Sequence, residues 1–350
     1  MLYLIDGNPL LYRAADRIMS TVPADSCGGY LLREAVAMVN DMLRRHGPGE
    51  IIMVFDGGRG FRKELYPEYK TNRDDLTDET QQLLRARVRN GLRTAGDFFD
   101  ALNANYVRVP GVEADDILSI AAGVCRAEGR EALVVSEDRD LNQVLGGPVS
   151  ALRLREERIV DAATALADWQ GDPVRFVIWK ALAGDAGDNI KLFDGIGEKR
   201  ALELVSFCGR DWRKLFTPEA AKLYGKTKWF KKTLAPPDAP AKFMLALRLV
   251  ATASDYEHLC PPGLEKTGFW FAPTQVREAL TKAFHRLTAA PHVPPYDVVT
   301  AVRKMYEAYW LPYDLSPLRP FRVSAQTEGP VPLPGIFQAG VESRPVDAPF

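Results

Sequence analysis

The sequence has few of the residues that build zinc sites, disulfides or histidine-based active sites. Its four cysteines are scattered without a CxxC pair, and its four histidines are well separated. The cysteines are Cys27, Cys125, Cys208 and Cys260, and the histidines are His46, His258, His285 and His292. This pattern argues against structural zinc, favours reduced thiols, and offers no obvious catalytic histidine.

Long apolar runs are also lacking. No run approaches the roughly 20 residues that a membrane-spanning helix needs, and a strand pattern that begins at Leu2 leaves no room for a signal-peptide core. We therefore expect no membrane association and a cytoplasmic location. The net charge of −1 gives no large excess of either sign. A basic face for nucleic acid therefore requires that the acidic residues lie on another face.

Short apolar runs alternate with helical patterns over residues 1–160. The runs are LYLI, IIMVF, NYVRV, ALVVS and SALRL, and helical patterns cover residues 30–45 and the stretch that starts at Glu113. Short β-branched runs that are apolar on both faces are typical of buried parallel strands. The sequence therefore predicts an α/β domain, a mostly parallel sheet with helices on both faces.

The remaining segments differ in composition. Residues 57–100 are rich in arginine and lysine and contain Tyr66 and Tyr69, which predicts a mobile helical clamp above the sheet edge or, alternatively, a solvated helix pair. Residues 161–290 have helical patterns and many basic residues. A helical pattern returns within 291–322, and residues 323–350 are rich in proline and glycine, which predicts a flexible tail.

Acidic residues follow the apolar runs, and this is the most informative pattern in the chain. The candidate metal ligands are Asp6, Asp56, Glu113, Asp115, Asp116, Asp138, Asp140, Asp185 and Asp188. The carboxyl ends of parallel strands meet at one edge of a sheet, and close carboxylates there repel each other by about 1 kcal/mol or more per pair. Helix-start chemistry explains one acid of GVEADD and a polar turn explains SEDRD, but the whole set indicates a divalent-metal site.

Two further pairs of residues are informative, one about phosphate binding and one about metal binding. Lys70 and Arg73 are spaced to face the same phosphate from one helical turn, although surface salt bridges are the alternative. Asp185 and Asp188 are three residues apart and are predicted to point from one face of a helical turn at a metal.

A GxG sequence precedes a predicted helix in the second half of the chain. Gly195, Ile196 and Gly197 come before a helix that starts near Glu198, with Lys199 and Arg200 in its first turn. Backbone N–H groups at such a helix start bind phosphate. A tight turn that needs positive φ is the alternative explanation.

Six of these stretches, in order, resemble the 5′-nucleases of the flap endonuclease type. This family includes the 5′-to-3′ exonuclease domain of bacterial DNA polymerase I and stand-alone phage enzymes. The matching stretches are LIDGNPLLYR, MVFDGG, YPEYKTNRDD, GVEADDILS, VVSEDRDLNQVL and GDAGDNIKLFDGIGEKRA. They cover residues 1 to about 205.

The resemblance implies a PIN-like nuclease domain over residues 1–160, a helical arch over 57–100, and a helix-three-turn-helix element over 180–208 that grips duplex DNA. It assigns metal binding to all nine acids and places Lys70 and Arg73 at the scissile phosphate, with Arg13 as a further basic residue. Tyr69 is expected to contact DNA. The residues expected to bind DNA phosphates at the hairpin are Gly195, Ile196, Gly197, Lys199 and Arg200, with K⁺ at the turn. Leu192 departs from the family, because many members have glycine there.

The implied reaction is hydrolysis of DNA phosphodiesters with two Mg²⁺ ions about 4 Å apart, Mn²⁺ being a possible substitute. Asp6, Asp56, Glu113 and Asp115 would serve mainly the first ion, and Asp138, Asp140, Asp185 and Asp188 the second. The expected substrates are DNA with 5′ flaps or ends, and RNA/DNA hybrid, handled by a monomer in replication or repair, with replication proteins as possible partners. The alternatives are a primer-removing or PIN-type ribonuclease, a DNA-binding module without activity, and a small-molecule phosphatase.

Overall fold

The computed structural model describes residues 1–20, 28–73, 78–102, 104–252 and 274–289. The predicted helical segment at 291–322 and the predicted tail at 323–350 lie outside the described residues. Among the described residues, no helix is long and apolar enough to cross a membrane.

The first part of the chain alternates strands and helices. The elements are β1 (Leu2–Asp6), α1 (Gly7–Arg17), α2 (Gly28–His46), β2 (Glu50–Phe55), α3 (Gly60–Leu65), α4 (Glu79–Ala101), β3 (Tyr106–Arg108), α5 (Ala114–Ala127), β4 (Ala132–Val135), β5 (Val149–Arg153) and β6 (Arg158–Val160). Two 3₁₀ helices, Thr71–Arg73 and Arg139–Val144, follow α3 and β4.

The second part is helical. Its elements are α6 (Ala162–Ala165), α7 (Pro173–Ala183), α8 (Glu198–Cys208), α9 (Pro218–Tyr224), α10 (Lys228–Thr233), α11 (Ala239–Val250) and α12 (Thr274–Ala289). Helix α7 begins where Asp172 accepts a hydrogen bond from the N–H of Val174 (2.9 Å) and Pro173 occupies the first turn, a combination typical of helix starts.

The six strands form one sheet in the order β3-β2-β1-β4-β5-β6. All neighbouring pairs are parallel except β5 and β6, which are antiparallel. The prediction of a mostly parallel α/β sheet is therefore confirmed. Strand β6 was not predicted, because it has three residues and two of them, Arg158 and Ile159, are exposed, so it lacks an apolar run.

Successive residues of each inner strand face opposite layers. Tyr3 and Ile5 pack in a core with α1, α2 and α4, whereas Leu2 and Leu4 pack in a second core with α5 and α12. Both faces are thus buried, which accounts for the apolar runs, and each fully buried leucine or isoleucine stabilises the fold by about 1.5–3 kcal/mol.

Helix α4 forms part of the first core. Phe98 and Phe99 are fully buried and stack near Phe55 of β2, and Leu84 and Val88 are buried with them. The second half of the basic stretch is therefore not a solvated helix pair. The bounds of an arch within residues 57–100 stay a prediction.

The helices that follow the sheet pack around a third core. Helix α7 contacts α8 and α11, and Ile178, Leu204 and Phe243 are fully buried among them. Helix α12 departs from this group, because Val276 and Leu280 pack on the sheet beside α5. The sequence pattern had grouped residues 274–289 with the helical region.

Candidate active site

Eight of the nine predicted acidic residues line one cavity of about 820 Å³ at the carboxyl ends of the strands. They are Asp6, Asp56, Glu113, Asp115, Asp138, Asp140, Asp185 and Asp188. The order of the sheet brings Asp6, Asp56 and Asp138 together, because β1, β2 and β4 are neighbours and run in the same direction. Asp185 and Asp188 reach the same cavity from the segment after α7. Carboxylates that are far apart in sequence therefore share one edge.

Asp6 and Asp56 are held by hydrogen bonds from neutral groups. The Ser136 hydroxyl donates to Asp6 (2.9 Å), and Asp56 accepts from the Asn8 amide (2.8 Å) and from the N–H of Ala114 at the start of α5 (2.7 Å). Sequence reasoning missed Asn8 and Ser136. Asn8 stands two residues after Asp6, and Ser136 directly follows β4. This closeness to a carboxylate or a strand end was the available signal.

The carboxylates in this part of the cavity lie close to one another, and Asp6 is buried. Burial, followed by the charges of Asp56 and Asp138, raises the pKa of Asp6 to about 8. Burial and the charges of Asp138, Asp6 and Asp56 raise the pKa of Asp115 well above its usual value. Burial also raises the pKa of Asp56. A group of oxygen donors whose negative charge is this unfavourable suits a divalent cation.

A second group consists of Asp140, Asp185 and Asp188, whose carboxylate oxygens lie within 4.8 Å of one another. The prediction that Asp185 and Asp188 share a helical turn is wrong. Asp185 pairs with Ile190 as an isolated β-bridge, and the N–H of Asp188 donates to the Asp185 carboxylate (3.1 Å). The tight turn between them brings the two carboxylates together.

Lys180 on α7 occupies the middle of this second group, and sequence reasoning missed it. Its ammonium forms ion pairs with Asp140 and with Asp185 (2.8 Å), and the residue is only 6% exposed. Burial lowers the pKa of Lys180, but the two aspartates outweigh this effect and raise it. Burial raises the pKa of Asp140 to about 6 despite Lys180, whereas Lys180 outweighs burial at Asp185 and lowers its pKa.

Lys70 lies between Glu113 and the second group. Its Nζ is 2.5 Å from Glu113 and 3.6 Å from Asp188. Burial lowers its pKa, but these two carboxylates raise it overall, so the ammonium stays charged. Glu113, predicted to serve the first ion, has both oxygens engaged by protein donors, since Arg62 binds its other oxygen (2.7 Å).

Tyr69 is almost completely buried, so its prediction as a DNA-binding residue is wrong. It is 2% exposed, and its hydroxyl donates towards Glu113 (3.1 Å) and Asp188 (3.2 Å). Burial, followed by the charge of Glu113, raises its pKa. The tyrosine therefore joins two carboxylates beneath the cavity instead of stacking on a base.

Arg73 is the more accessible partner of Lys70. Its side chain is 46% exposed, and it forms an ion pair with Asp188 (2.6 Å). The two cations do not share a regular helical turn, because Lys70 has φ of +55° and the 3₁₀ helix begins at Thr71. They nevertheless both contact the Asp188 carboxylate, and their binding to one phosphate stays a prediction.

Asp116 faces away from the cavity, so its prediction as a metal ligand is not supported by its position. It is 2% exposed, and both of its oxygens accept from Arg62 (2.6 and 2.8 Å). The same guanidinium donates to the carbonyls of Leu249 and Ala251. Arg62 was counted among the basic residues of the arch, but it is buried beneath the cavity.

Arg13 lies outside the main cavity. It lines a neighbouring cavity of about 400 Å³ behind Asp6, and its guanidinium is 3.7 Å from Glu137. The sequence placed it near the site, and its position is adjacent to the carboxylates but not among them.

The GxG turn precedes α8 as predicted. Gly195 has φ of +87° and is exposed, and Gly197 precedes the first residue of α8. Lys199 is exposed, and Arg200 lies 4.8 Å from the ring centroid of Trp229 and donates to the Gly195 carbonyl. The Ile196 side chain is 3% exposed in the helical core, so only its backbone can reach a phosphate.

Comparisons with known proteins identify relatives of this chain. The family model described as 5′-3′ exonuclease, N-terminal resolvase-like domain matches residues 1–170. Flap endonuclease Xni from Shewanella putrefaciens is 30% identical over 204 residues, which are 58% of this chain and 72% of that protein. DNA polymerase I from Mycobacterium tuberculosis is 32% identical over 219 residues, which are 59% of this chain. The chain spans only 23% of that polymerase.

A solved structure has the same fold. The flap endonuclease of bacteriophage T5, in a pseudo-enzyme-product complex with DNA and metal ions, superposes with a TM-score of 0.62 at 21% identity. The match covers 82% of this chain and 99% of the phage protein.

Proposed function

The chain belongs to the 5′-nuclease family of flap endonucleases, and we propose that it hydrolyses phosphodiester bonds in DNA that carries a 5′ flap or a free 5′ end. The observation that supports this most is the single cavity in which eight carboxylates face Lys70 and Arg73. Such a cavity combines ligands for cations with cations for a phosphate. A cavity for a neutral substrate needs neither.

We assign the two metal ions to two groups of carboxylates. Asp6, Asp56, Asp115 and Asp138 form one group, and Asp140, Asp185 and Asp188 form the other. This division differs from the sequence prediction. It leaves out Glu113, because Lys70 and Arg62 hold its two oxygens in a buried site, and it places Asp138 with Asp6 and Asp115, although its charge raises the pKa of Asp140 as well. All donors are carboxylate oxygens, which suit Mg²⁺ or Mn²⁺ and not softer metals.

When bound, two such ions lower the pKa of an attacking water and stabilise charge on the phosphate. The chain's own residues supply the remaining functions. Asn8 and Ser136 orient Asp56 and Asp6 by hydrogen bonds. Lys70 and Arg73 bind the scissile phosphate and neutralise charge that grows on it, an effect worth about 3–4 kcal/mol for a single well-placed donor in a desolvated site.

The helical region holds the duplex. The turn from Gly195 to Gly197 presents the N-terminus of α8 to a DNA phosphate, with Lys199 exposed beside it. We assign this part, residues 180–208, as a helix-three-turn-helix element, with K⁺ as a further ligand of the turn. Phosphate contacts select the structure of the DNA and not its sequence, and they make the affinity fall with salt.

The wider setting of the reaction follows from the family. We propose a role in DNA replication or repair, with RNA/DNA hybrid as a second substrate and a monomer as the active form. The boundaries of a nuclease domain at residues 1–160 and of an arch within 57–100 belong to the same proposal, as does a cytoplasmic location.

The decisive experiment is Mg²⁺-dependent cleavage of an end-labelled 5′-flap DNA. The wild type is compared with the double variant Asp185→Asn, Asp188→Asn, and binding is measured in Ca²⁺. We expect cleavage near the flap junction by the wild type, and retained binding without cleavage by the variant. Binding without cleavage by the wild type would indicate a DNA-binding module. Cleavage of single-stranded RNA in preference to flap DNA would indicate a ribonuclease.

A further inference from the structure

The C-terminal end of α11 meets the sheet region directly behind the carboxylate cluster. The last carbonyls of a helix have no partner within the helix. Here Arg62 donates to the carbonyls of Leu249 (3.0 Å) and Ala251 (2.9 Å), and Gln143 donates to that of Val250 (3.3 Å). Two side chains from the sheet region thus cap a helix of the helical region.

Gln143 joins this helix end to the segment that carries Asp140. Its Nε2 also donates to the backbone carbonyl of Asp140 (2.8 Å), and its Oε1 accepts from the N–H of Thr252 (2.8 Å). The orientation of the amide is fixed, because its oxygen faces one donor and its nitrogen faces two acceptors. Gln143 is 6% exposed, so water competes little for these bonds.

Thr252 is held from its other side by the helix that carries Asp115. Its hydroxyl donates to the hydroxyl of Ser119 (3.0 Å), and both residues are buried. Ser119 lies on α5 one turn after Asp115. The residues just beyond α11 are therefore tied to two carboxylate-bearing segments.

Helix α11 is in turn packed against the helices of the proposed duplex-binding element. It contacts α7, and α7 contacts α8, which begins at the GxG turn. A duplex seated on that turn is therefore connected through packed helices to the end of α11. From there Gln143 makes the last connection to Asp140.

We propose that Gln143 is a positioning residue, which fixes the backbone of Asp140 relative to the helical region so that a bound duplex and the carboxylates are in register. This inference rests on the proposed function and names a residue that, beside the ion pairs of Lys180, links its two halves. Gln143 acts through Asp140 and not on the reacting phosphate.

The test compares Gln143→Met and Gln143→Glu with the matched control Gln275→Met, an exposed position on α12. The methionine variant keeps the length of the side chain and loses all three hydrogen bonds. The glutamate variant keeps the bond from Thr252 but turns an acceptor towards two carbonyls. We expect kcat on 5′-flap DNA to fall by about 10- to 100-fold in both, as for a misplacement of about 1 Å. KM, and the DNA affinity in Ca²⁺, should match the wild type and the control.

Wild-type kcat in both variants would overturn the proposal, and so would a parallel loss of kcat and DNA affinity, which indicates general destabilisation. If Gln143→Met does not fold, Gln143→Glu decides, because it keeps the shape and the bond to Thr252.

A second measurement does not depend on cleavage. The affinity for Mn²⁺ should be lower in both variants than in the control, because Asp140 is displaced. The electron paramagnetic resonance signal of unbound Mn²⁺ measures this affinity. Unchanged Mn²⁺ affinity overturns the proposal. If the wild type cleaves no phosphodiester, the proposed function fails, and the Mn²⁺ comparison still decides the role of Gln143.

Discussion

Asn8 and Asp56 hold each other by two hydrogen bonds that run in opposite directions. The Asn8 amide donates to the Asp56 carboxylate (2.8 Å), and the N–H of Asp56 donates to the Asn8 side-chain oxygen (3.0 Å). The end of β2 is thereby fixed to the start of α1. A carboxylate that is fixed at both its backbone and its side chain has one orientation available for a cation.

This relationship predicts the effect of Asn8→Ala. The variant should bind flap DNA in Ca²⁺ as the wild type does, but cleave it about 10- to 100-fold more slowly, because Asp56 is no longer oriented. Single-turnover cleavage with Mg²⁺ measures this. Asn8→Asp serves as the contrasting variant, since its carboxylate cannot donate to Asp56 and adds negative charge beside it, so cleavage at limiting Mg²⁺ should be slower still. A wild-type rate in Asn8→Ala would show that Asp56 needs no support.

Substitution of Lys70 and substitution of Arg73 should differ in their effect on the melting temperature. Lys70 is buried and Arg73 is half exposed, although both contact Asp188. Lys70→Met should abolish most cleavage and also lower the melting temperature, because Glu113 and Asp188 lose a buried counter-ion. Arg73→Met should slow cleavage with little change in melting temperature. Thermal melting alongside cleavage rates separates the two, and equal stability losses would contradict the assignment.

We expect Arg62 to contribute mainly to the stability of the fold. Removing one partner of a buried ion pair costs about 3–5 kcal/mol, and Arg62→Met leaves Asp116 without its two guanidinium bonds. We expect the free energy of unfolding, measured with denaturant, to fall by about this amount whether or not Mg²⁺ is present. Recovery of full stability on adding Mg²⁺ would instead indicate that Asp116 is a metal ligand.

Tyr69→Phe tests whether the tyrosine contacts DNA. Its hydroxyl donates to buried carboxylates, so the variant should lose about 1–2 kcal/mol of stability through unsatisfied acceptors. Its affinity for flap DNA in Ca²⁺ should not change. Lower DNA affinity at equal stability would restore the role that the sequence suggested.

Metal affinity should depend on pH through Asp6. Its pKa is raised to about 8, so below that pH the metal-free carboxyl carries a proton that the cation must displace. Affinity for Mn²⁺ should therefore rise with pH and level off above this pKa. Calorimetric titrations on both sides of it measure the slope. Asp6→Asn should bind more weakly with a flatter pH dependence, and an equally steep slope in that variant would assign the proton elsewhere.

The sequence was informative about Asp6, Asp56 and Asp138 because each stands at or just after the end of an apolar strand, and parallel strands bring their ends together. It identified Lys70 and Arg73 but gave no sign of two other cations that pair with the acids, Lys180 and Arg62. Lys180 sits within the apolar helix pattern of α7, where a lysine whose stem packs along the surface looks the same as one buried among carboxylates. Arg62 was hidden in the same way among the arginines of a basic stretch.

Tyr69 and α12 show a second limit, which concerns tertiary contacts. An aromatic residue among basic residues has the same local pattern whether it faces DNA or the core, and only packing decides. Helix α12 has an amphipathic pattern that does not state which layer it covers. The short strand β6 had no pattern at all, because its exposed residues are polar or isolated.

The return of α12 to the sheet has a consequence for the order of events during synthesis on the ribosome. The apolar face that begins with Leu2 is partly covered by a helix that ends at Ala289. The whole helical region is therefore synthesised before the layer over β3 is complete, and until then part of that face is in water. A nascent chain that stalls after α11 should be a substrate for chaperones, even though every proposed catalytic residue has already emerged.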